Sequence, residues 1–319
     1  MRSVLLALAA TVALSLPARA DDVTVAVTAI VEHPALDAVR DGVKDALAAA
    51  GYKEGENLKF LYESAQGNPA TAAQIARQFA GEGPNVIVPI STPSAQAVVS
   101  TTHDIPVVFT AVSDPVGAQL VTDMEKPGAN VTGISDMSPV AEHVALIKEI
   151  VPAAKSIGYL YNSGEANSVS LLAVLKTEAE KAGLTVVESA ATKSAEVQGA
   201  ARALVGRADV IYVPTDNTII SALEGAVAVA EEAKLPLFTA DTDSVARGSL
   251  AALGFNYRDV GTQTGEVVVR QFQTDLLEVA AHRVGVDHTV GGLGQILGGQ
   301  EPRDVAVDDD TADRQVERP

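Results

Sequence analysis

The sequence predicts an α/β protein of two Rossmann-like lobes, each built around a parallel sheet. Short runs rich in Val and Ile alternate with stretches whose apolar residues recur at helical spacing, which is typical of βαβ units. The alternation runs from Val23 to Val112 and starts again at Val140, so two similar units stand in series. The chain has 319 residues and no cysteine, so its stability must come from apolar cores, and one core rarely serves that length.

The first unit contains four predicted strands and three predicted helices. In its first helix Val39, Val43 and Leu47 recur on one face, and Gly51 ends the pattern. The strands are predicted at Val23–Ile30, Leu58–Tyr62, Val86–Ile90 and Pro106–Val112, and the helices at Asp37–Ala50, Thr71–Ala80 and Ser94–Ser100.

The second unit repeats this architecture without an evident repeat of residues. Gly183 stands directly after one of its helices, in the position where glycine commonly ends a helix. The strands are predicted at Ser156–Tyr161, Leu184–Ser189, Val210–Pro214 and Leu235–Ala240, and the helices at Val140–Ile150, Val169–Ala182, Ala195–Val205 and Ile220–Ala233.

Two segments are expected to cross between the lobes. Gly128–Ser138 is rich in Gly, Asn, Thr and Ser, and Ser249–Phe255 follows the last strand of the second unit. A helix at Asp259–Phe272 would then return to the first lobe. The expected first lobe therefore comprises residues 21–133 and 256–319, and the second comprises residues 134–255.

The first 20 residues have the three parts of a secretory signal peptide. Arg2 gives a basic start, Val4–Leu16 is apolar, and Ala18-Arg19-Ala20 resembles a cleavage site. The apolar run is shorter than the ~20 residues that span a bilayer. We therefore expect a mature protein that begins at Asp21 and lies free in the periplasm, because no cysteine is present to carry a lipid anchor.

Charge and motifs exclude several classes of function. The net charge of −18 opposes binding to nucleic acid or anionic lipid. The sequence lacks a cysteine nucleophile, a GxSxG elbow, a phosphate-binding loop and an HExxH motif, so no enzyme, cofactor or metal site is expected. A catalytic pair of His33 and Asp114 is the remaining enzymatic alternative.

Polar residues gather after the predicted strands, where ligands of open parallel sheets bind. Each such residue also suits a turn or a helix cap, which is the alternative interpretation. Together they offer hydroxyls on one lobe and acids on the other, which suits a zwitterion with its carboxylate at Thr92 and Ser94 and its ammonium at Asp216 or Glu165. The remaining candidates are His33, Ser113, Asp114, Asn162, Asn167, Ser168, Asn217 and Asp241.

Several stretches in fixed order resemble the ABC-importer substrate-binding proteins of the tryptophan/tyrosine type. The resemblance covers roughly Val23 to Arg270, and the series is specific although any single stretch is weak. The matching stretches are His33-Pro34-Ala35-Leu36-Asp37, Ser91-Thr92-Pro93-Ser94-Ala95-Gln96, Thr110–Ala118, Pro127–Asp136, Asn167-Ser168 and Val213–Thr218.

The resemblance implies a type I periplasmic-binding fold with two lobes, three crossovers and a hinge. It implies a monomer that captures a small molecule, an aromatic amino acid in the usual case, and delivers it to an ABC permease and its ATPase. By position, Thr92, Ser94 and Ser113 would hold the ligand carboxylate, and Asp216 with Glu165 would meet the ammonium. His33, Pro34 and Leu36 would lie near the side chain, and Asn162, Asn167 and Asn217 would add hydrogen bonds.

The residues alone do not identify the side chain of the ligand. Tyr161 and Tyr257 are the nearest candidates for stacking, and the chain has no Trp. A branched or aliphatic amino acid, or another small carboxylate, therefore stays an alternative. The same pocket would also serve a sensor or a chemoreceptor instead of an importer.

The end of the chain departs from the family pattern. Residues 271–295 are interpreted as an insertion, because Ile296-Leu297-Gly298-Gly299 fits a stretch that usually follows Arg270 directly. Beyond Val307 the chain is acidic, and the expected last strand and helix are missing.

Overall fold

The structure is a computed structural model that describes residues 22–128, 130–284 and 304–307. The predicted signal peptide and the Ile296–Gly299 stretch lie outside these residues. Within them, none of the helices combines the length and the apolar character that crossing a membrane requires.

The first lobe is a parallel sheet with helices on both faces. Its strands lie in the order β2-β1-β3-β4-β5, and all five residues of the central β3 are buried, as expected where helices cover both faces. The strands are β1 (Val23–Ala29), β2 (Leu58–Ser64), β3 (Val86–Ile90), β4 (Val107–Val112) and β5 (Val131–Ser135), and the helices are α1 (Pro34–Ala49), α2 (Pro69–Glu82) and α3 (Thr92–Val99).

The second lobe has the same construction, with a sheet in the order β11-β10-β9-β8-β6-β7. Its strands are parallel except for β11, which pairs antiparallel with β10. The strands are β6 (Ser156–Tyr161), β7 (Thr185–Ala190), β8 (Val210–Val213), β9 (Leu237–Thr239), β10 (Ala251–Gly254) and β11 (Asp304–Val307), and the helices are α4 (Val140–Ile150), α5 (Ala166–Lys181), α6 (Val197–Arg202), α7 (Asn217–Ser221) and α8 (Leu223–Ala233).

Helix α9 (Tyr257–Val284) returns to the first lobe and packs along α1. The two helices approach closely at Gly42 and Gly261, where a Cβ atom would collide with the backbone of the opposite helix. Phe272 on α9 also packs edge-on against Tyr52, with ring centroids 5.3 Å apart. The helix predicted at Asp259–Phe272 is longer than expected, because α9 continues to Val284.

The two described crossovers are shorter than predicted. Residues 136–139 join β5 to α4, and residues 255–256 join β10 to α9. The predicted crossovers Gly128–Ser138 and Ser249–Phe255 thus contain the strands β5 and β10, whose four or five residues are too few to show alternation. Residues 304–307 also differ from the prediction, since β11 pairs on the second sheet and not with the first lobe.

His143 contributes a buried polar link within the second lobe. The residue is buried on α4, where Nδ1 lies 2.6 Å from the Tyr212 hydroxyl and Nε2 lies 2.9 Å from the Leu253 carbonyl oxygen. Burial lowers the pKa of His143 to about 4, so the ring is neutral and joins α4 to β8 and β10.

Val116 and Val169 are exposed apolar residues, one in each lobe.

Candidate functional site

A cavity lies between the two lobes, at the carboxyl ends of the central strands. Its space between atoms is about 370 Å³, a volume that includes the open mouth. Both lobes, the first crossover and the start of α9 contribute to its wall. The lining residues are His33, Ala35, Leu36, Thr92, Ala111, Ser113, Asp136, Asn167, Thr215, Asp216, Asn217, Ile220, Asp241 and Tyr257.

On the first lobe, the N-terminus of α3 points its hydroxyls into buried space. Ser91, Thr92 and Ser94 are each at most 2% exposed, and none of their hydroxyls has a hydrogen-bond partner among the described residues. Ser91 also has a φ of 77°, a left-handed conformation that costs a non-glycine residue ~1 kcal/mol or more. Helix N-termini carry free N–H groups and partial positive charge, so this wall suits a carboxylate.

On the second lobe, Asp216 is held by three hydrogen bonds. Its Oδ2 accepts from the Asn162 backbone N–H and from the Ser168 hydroxyl, both at 2.6 Å, and its Oδ1 caps α7 by accepting from the Ile219 N–H at 2.8 Å. The residue is 1% exposed, and burial followed by the charge of Glu165 raises its pKa well above the ordinary value. A cation in the cavity would favour its ionised form.

Glu165 serves the start of α7 and does not line the cavity. Its carboxylate accepts from the Asn217 backbone N–H at 3.1 Å and from the Thr218 N–H at 3.0 Å. It also accepts from the Asn217 side-chain amide at 2.5 Å and from the Thr218 hydroxyl at 2.8 Å. Glu165 therefore fixes the loop that presents Asp216, which is a positioning role.

Asp241 is the second carboxylate that the second lobe brings to the cavity. It accepts from the backbone N–H of Ser244 at 3.0 Å and from the Ser244 hydroxyl at 2.7 and 2.8 Å, which caps a short 3-10 helix. The residue is 3% exposed, and burial raises its pKa to about 6. The charge of Arg247 acts in the opposite direction on this pKa, and Arg247 is itself paired with Glu224 at 2.8 Å.

At the hinge side, four residues form a chain of hydrogen bonds between the lobes. The Tyr257 hydroxyl donates to Asp136 Oδ2 at 3.0 Å, and the Ser113 hydroxyl lies 3.1 Å from Asp136 Oδ1. The same Ser113 oxygen lies 3.1 Å from the Thr215 hydroxyl of the second lobe. Because this contact joins side chains 102 residues apart across the cleft, the described conformation is closed.

Eight of the predicted site residues line the cavity, namely His33, Leu36, Thr92, Ser113, Asn167, Asp216, Asn217 and Asp241. Six predicted residues do not line it, namely Ser94, Asp114, Tyr161, Asn162, Glu165 and Ser168. Asp114 accepts from the Gly117 N–H at 2.8 Å in its own turn, and Tyr161 donates to Glu188 at 2.9 Å. Asn162 and Ser168 support Asp216 from behind.

The sequence did not single out Ala35, Ala111, Asp136, Thr215 or Ile220 as ligand contacts. Asp136 and Tyr257 lie at the crossovers, one on each, so an inspection of strand ends alone misses them. Tyr257 was considered for stacking, but its hydroxyl is bonded to Asp136. The signal that could have found Asp136 is its place at the end of β5, after a Gly-rich connection.

The cavity is acidic. Asp136, Asp216 and Asp241 are all at most 3% exposed, and no Lys or Arg is among the lining residues described. Burial also raises the pKa of Asp136. Buried carboxylates are costly unless they are paired, so this wall favours a ligand that carries a positive charge.

A two-lobed α/β fold with crossovers at a hinge and a cavity between the lobes defines solute-binding proteins of the type I periplasmic fold. Solved solute-binding proteins at 14% identity share this architecture. The chain belongs more narrowly to the ABC transporter substrate binding protein family, whose model matches residues 24–275.

Three relatives place the chain within this family. A tyrosine-binding protein of Clostridioides difficile is 42% identical over 245 residues, covering 77% of this chain and 71% of that protein. The structure of an ABC domain in complex with L-Trp from Streptococcus pneumonia is 32% identical, with a TM-score of 0.84 over 92% of this chain and 95% of that one. The ligand-free, open structure of a substrate binding protein with adhesive properties from Clostridium difficile is 39% identical, with a TM-score of 0.64 over 93% and 96% of the two chains.

Proposed function

We propose that the protein captures a free amino acid, of the aromatic class, in the closed cleft and delivers it to an ABC import permease. The observation that carries the proposal is the chemical polarity of the cavity. Buried carboxylates, Asp216 and Asp241, face it from one lobe, and the unpartnered hydroxyl of Thr92 at a helix N-terminus faces it from the other. An α-amino acid carries an ammonium and a carboxylate on the same carbon atom, and these two groups complement the two walls.

Two similarities support the aromatic class. One relative in the same family is named for tyrosine binding, and another was solved with L-Trp. The TM-score is higher to the L-Trp complex, at 0.84, than to the open ligand-free relative, at 0.64, which agrees with the closed state of the cleft. Leu36, Ala111 and Ile220 supply an apolar part of the wall for a side chain.

Delivery to a permease and a periplasmic location belong to the same proposal. Proteins of this family are substrate-binding components of ABC transporters. The basic, apolar and A-x-A segments at residues 1–20 support export. Catalysis is not part of the proposal, because the family binds ligands and Asp114, the suggested partner of His33, is bonded within its own turn.

The test is a thermal-shift screen of the protein without residues 1–20 against the amino acids and small carboxylates. A ligand that binds only the folded state raises the Tm, by an amount that grows with concentration. We expect L-Tyr, L-Trp or L-Phe to give the largest shift. Shifts confined to aliphatic amino acids or to carboxylates without an ammonium would reject the aromatic proposal.

A second experiment tests delivery separately. A strain that depends on the cognate importer for uptake of the ligand should lose uptake when this protein is deleted. Restored uptake on expression of the wild-type chain supports the proposal, and retained chemotaxis with unchanged uptake would support the sensor alternative.

A further inference from the structure

His33 lines the ligand cavity and has a buried polar atom that the described residues do not satisfy. The residue follows β1 and occupies the N-cap position of α1, but its side chain makes no capping hydrogen bond to that helix. The side chain is half-buried and lines the cavity, while its Nδ1 atom is fully buried without a hydrogen-bond partner among the described residues. A buried polar atom without a partner costs ~1–3 kcal/mol, so a ligand that supplies the partner recovers that free energy.

The imidazole of His33 is neutral under ordinary conditions. Burial and the positive charge of Arg247 lower its pKa to about 3. A neutral imidazole carries one N–H donor and one acceptor nitrogen. His33 therefore acts as a hydrogen-bonding group and not as a countercharge for the ligand carboxylate.

The surroundings of His33 on its own lobe are apolar. Ala35 and Leu36, from the same end of α1, line the same cavity, and Ala111 adds another small apolar surface. Thr92 on the α3 N-terminus and the carboxylates Asp216 and Asp241 line the same cavity and suit an amino acid's charges. With those charges met by other residues, the unpartnered Nδ1 of His33 is left for a polar group on the ligand side chain, and the apolar lining residues suit an aromatic ring.

We propose that His33 is a specificity-determining residue that hydrogen-bonds a polar group on the ligand's aromatic ring, so that the protein prefers tyrosine or tryptophan over phenylalanine. This inference rests on the proposed function. A site built to hydrogen-bond a ligand hydroxyl or N–H rejects the analogue that lacks it, because the buried polar group is then left unpaired.

The experiment compares ligands that differ in one group. Calorimetric Kd values are measured for L-Tyr against L-Phe, and for L-Trp against 3-benzothienyl-L-alanine, in which sulfur replaces the ring N–H. In the wild-type protein we expect the polar member of at least one pair to bind at least tenfold more tightly. In His33→Leu that ratio should fall below about threefold, with the affinity for the apolar member retained.

Two further variants sharpen the result. His33→Asn keeps a hydrogen-bonding group and should keep a ratio above threefold. His103→Leu removes an exposed histidine of the same lobe and should leave every ratio unchanged. If His33→Leu does not melt cooperatively, the same affinity ratios are measured for His33→Ala, and they should also fall below about threefold.

The outcomes separate the two proposals. If the aromatic amino acids bind but neither wild-type ratio exceeds threefold, the inference about His33 is overturned and the proposed function stands. A tenfold ratio that survives in the folded His33 variants also overturns it. If none of the aromatic ligands binds, the proposed function fails, and the inference falls with it.

Discussion

The two walls of the cleft differ in whether their buried polar groups have hydrogen-bond partners within the protein. On the second lobe, Asp216 and Asp241 already accept several hydrogen bonds, and Glu165 holds the loop behind them. On the first lobe, the hydroxyl of Thr92 and the Nδ1 atom of His33 have no partner among the described residues. The hydrogen bonds of the second-lobe wall are thus formed without a ligand, whereas the first-lobe wall has buried polar atoms that a ligand in the proposed site would satisfy.

This difference gives each wall a distinct energetic signature. The hydrogen bonds of side chains on the organised second-lobe wall contribute to folding and to binding, because they exist without ligand. A buried carboxylate on that wall lowers stability when it is ionised without a countercharge. Side chains on the incomplete wall contribute to binding alone and lower stability in its absence, since each buries a polar atom without a partner. The following predictions test that division, beginning with the largest expected effect.

The charge of Asp241 should destabilise the unliganded protein. Its folded pKa of about 6 exceeds the ordinary value of 3.8, so the ionised form is disfavoured in the fold. The free-energy penalty for ionising Asp241 in the fold is absent at low pH and grows as pH rises from about 4 to about 6. At ~1.4 kcal/mol per pKa unit, this penalty reaches about 3 kcal/mol at neutral pH. Asp241→Asn should therefore gain stability over the wild type progressively with pH.

Urea unfolding of both proteins between pH 4 and pH 8 measures this gain. A stability difference that is constant with pH would mean that ionisation of the buried Asp241 carboxyl does not destabilise the fold. Saturating ligand should reduce the difference, because a bound ammonium favours the ionised carboxylate.

Removing Asp216 should lower both stability and affinity, as the organised wall requires. Asp216→Ala deletes the cap of α7 and leaves the Asn162 N–H and the Ser168 hydroxyl without their partner. At about pH 4, where Asp216 is protonated in the fold and its raised pKa carries little penalty, we expect the free energy of unfolding to fall by about 2 kcal/mol. Ligand affinity should fall at least tenfold, or about 1.4 kcal/mol, by calorimetry.

Asp209 provides the matched control for this variant. It also accepts three hydrogen bonds, from the Lys155 N–H and from the N–H and hydroxyl of Ser156, but at the opposite end of β6. Asp209→Ala should lose stability and keep its affinity. Unchanged affinity in Asp216→Ala would remove Asp216 from the binding site.

Thr92→Val should produce the smallest effect and should separate ligand binding from folding stability most clearly. The change keeps the shape of the side chain and removes a hydroxyl that has no partner in the described chain. Ligand affinity should fall about fivefold, or about 1 kcal/mol for one hydrogen bond, with unliganded stability unchanged or slightly higher.

A second buried threonine distinguishes binding from packing. The Thr264 hydroxyl lies 2.7 Å from the Thr110 hydroxyl, within the core of the first lobe. Thr264→Val should lose stability and keep its affinity. A stability loss in Thr92→Val equal to that in Thr264→Val would contradict the division between the walls.

The sequence predicted the two-lobed fold because the elements that build it are long or strongly patterned. Helix α1 and strand β3 are identifiable from their periodicity or from an uninterrupted buried run. The short strands β5 and β10 were assigned to crossovers, since four or five residues beside glycines resemble a connection. Their place in the sheets depends on pairing with β4 and β9, the strands that precede them in the chain, and the pattern within such a short segment does not reveal that pairing.

The candidate site was predicted to the extent that strand ends define it. Thr92, Asp216 and Asp241 follow strands directly and line the cavity. Glu165 follows a strand too, yet it turns toward the α7 N-terminus, and the sequence does not distinguish an acid that faces a ligand from one that holds a helix. Asp136 and Tyr257 were missed as a pair because they are 121 residues apart and meet only at the hinge.

The exposed positions Val116 and Val169 have a practical consequence in a chain without cysteine. A single cysteine introduced at either position would be the only thiol in the molecule. One lobe could then carry an environment-sensitive fluorophore, and a change in its emission would follow the opening and closing of the cleft. The same property makes the fold a starting point for an optical sensor of whichever amino acid it binds.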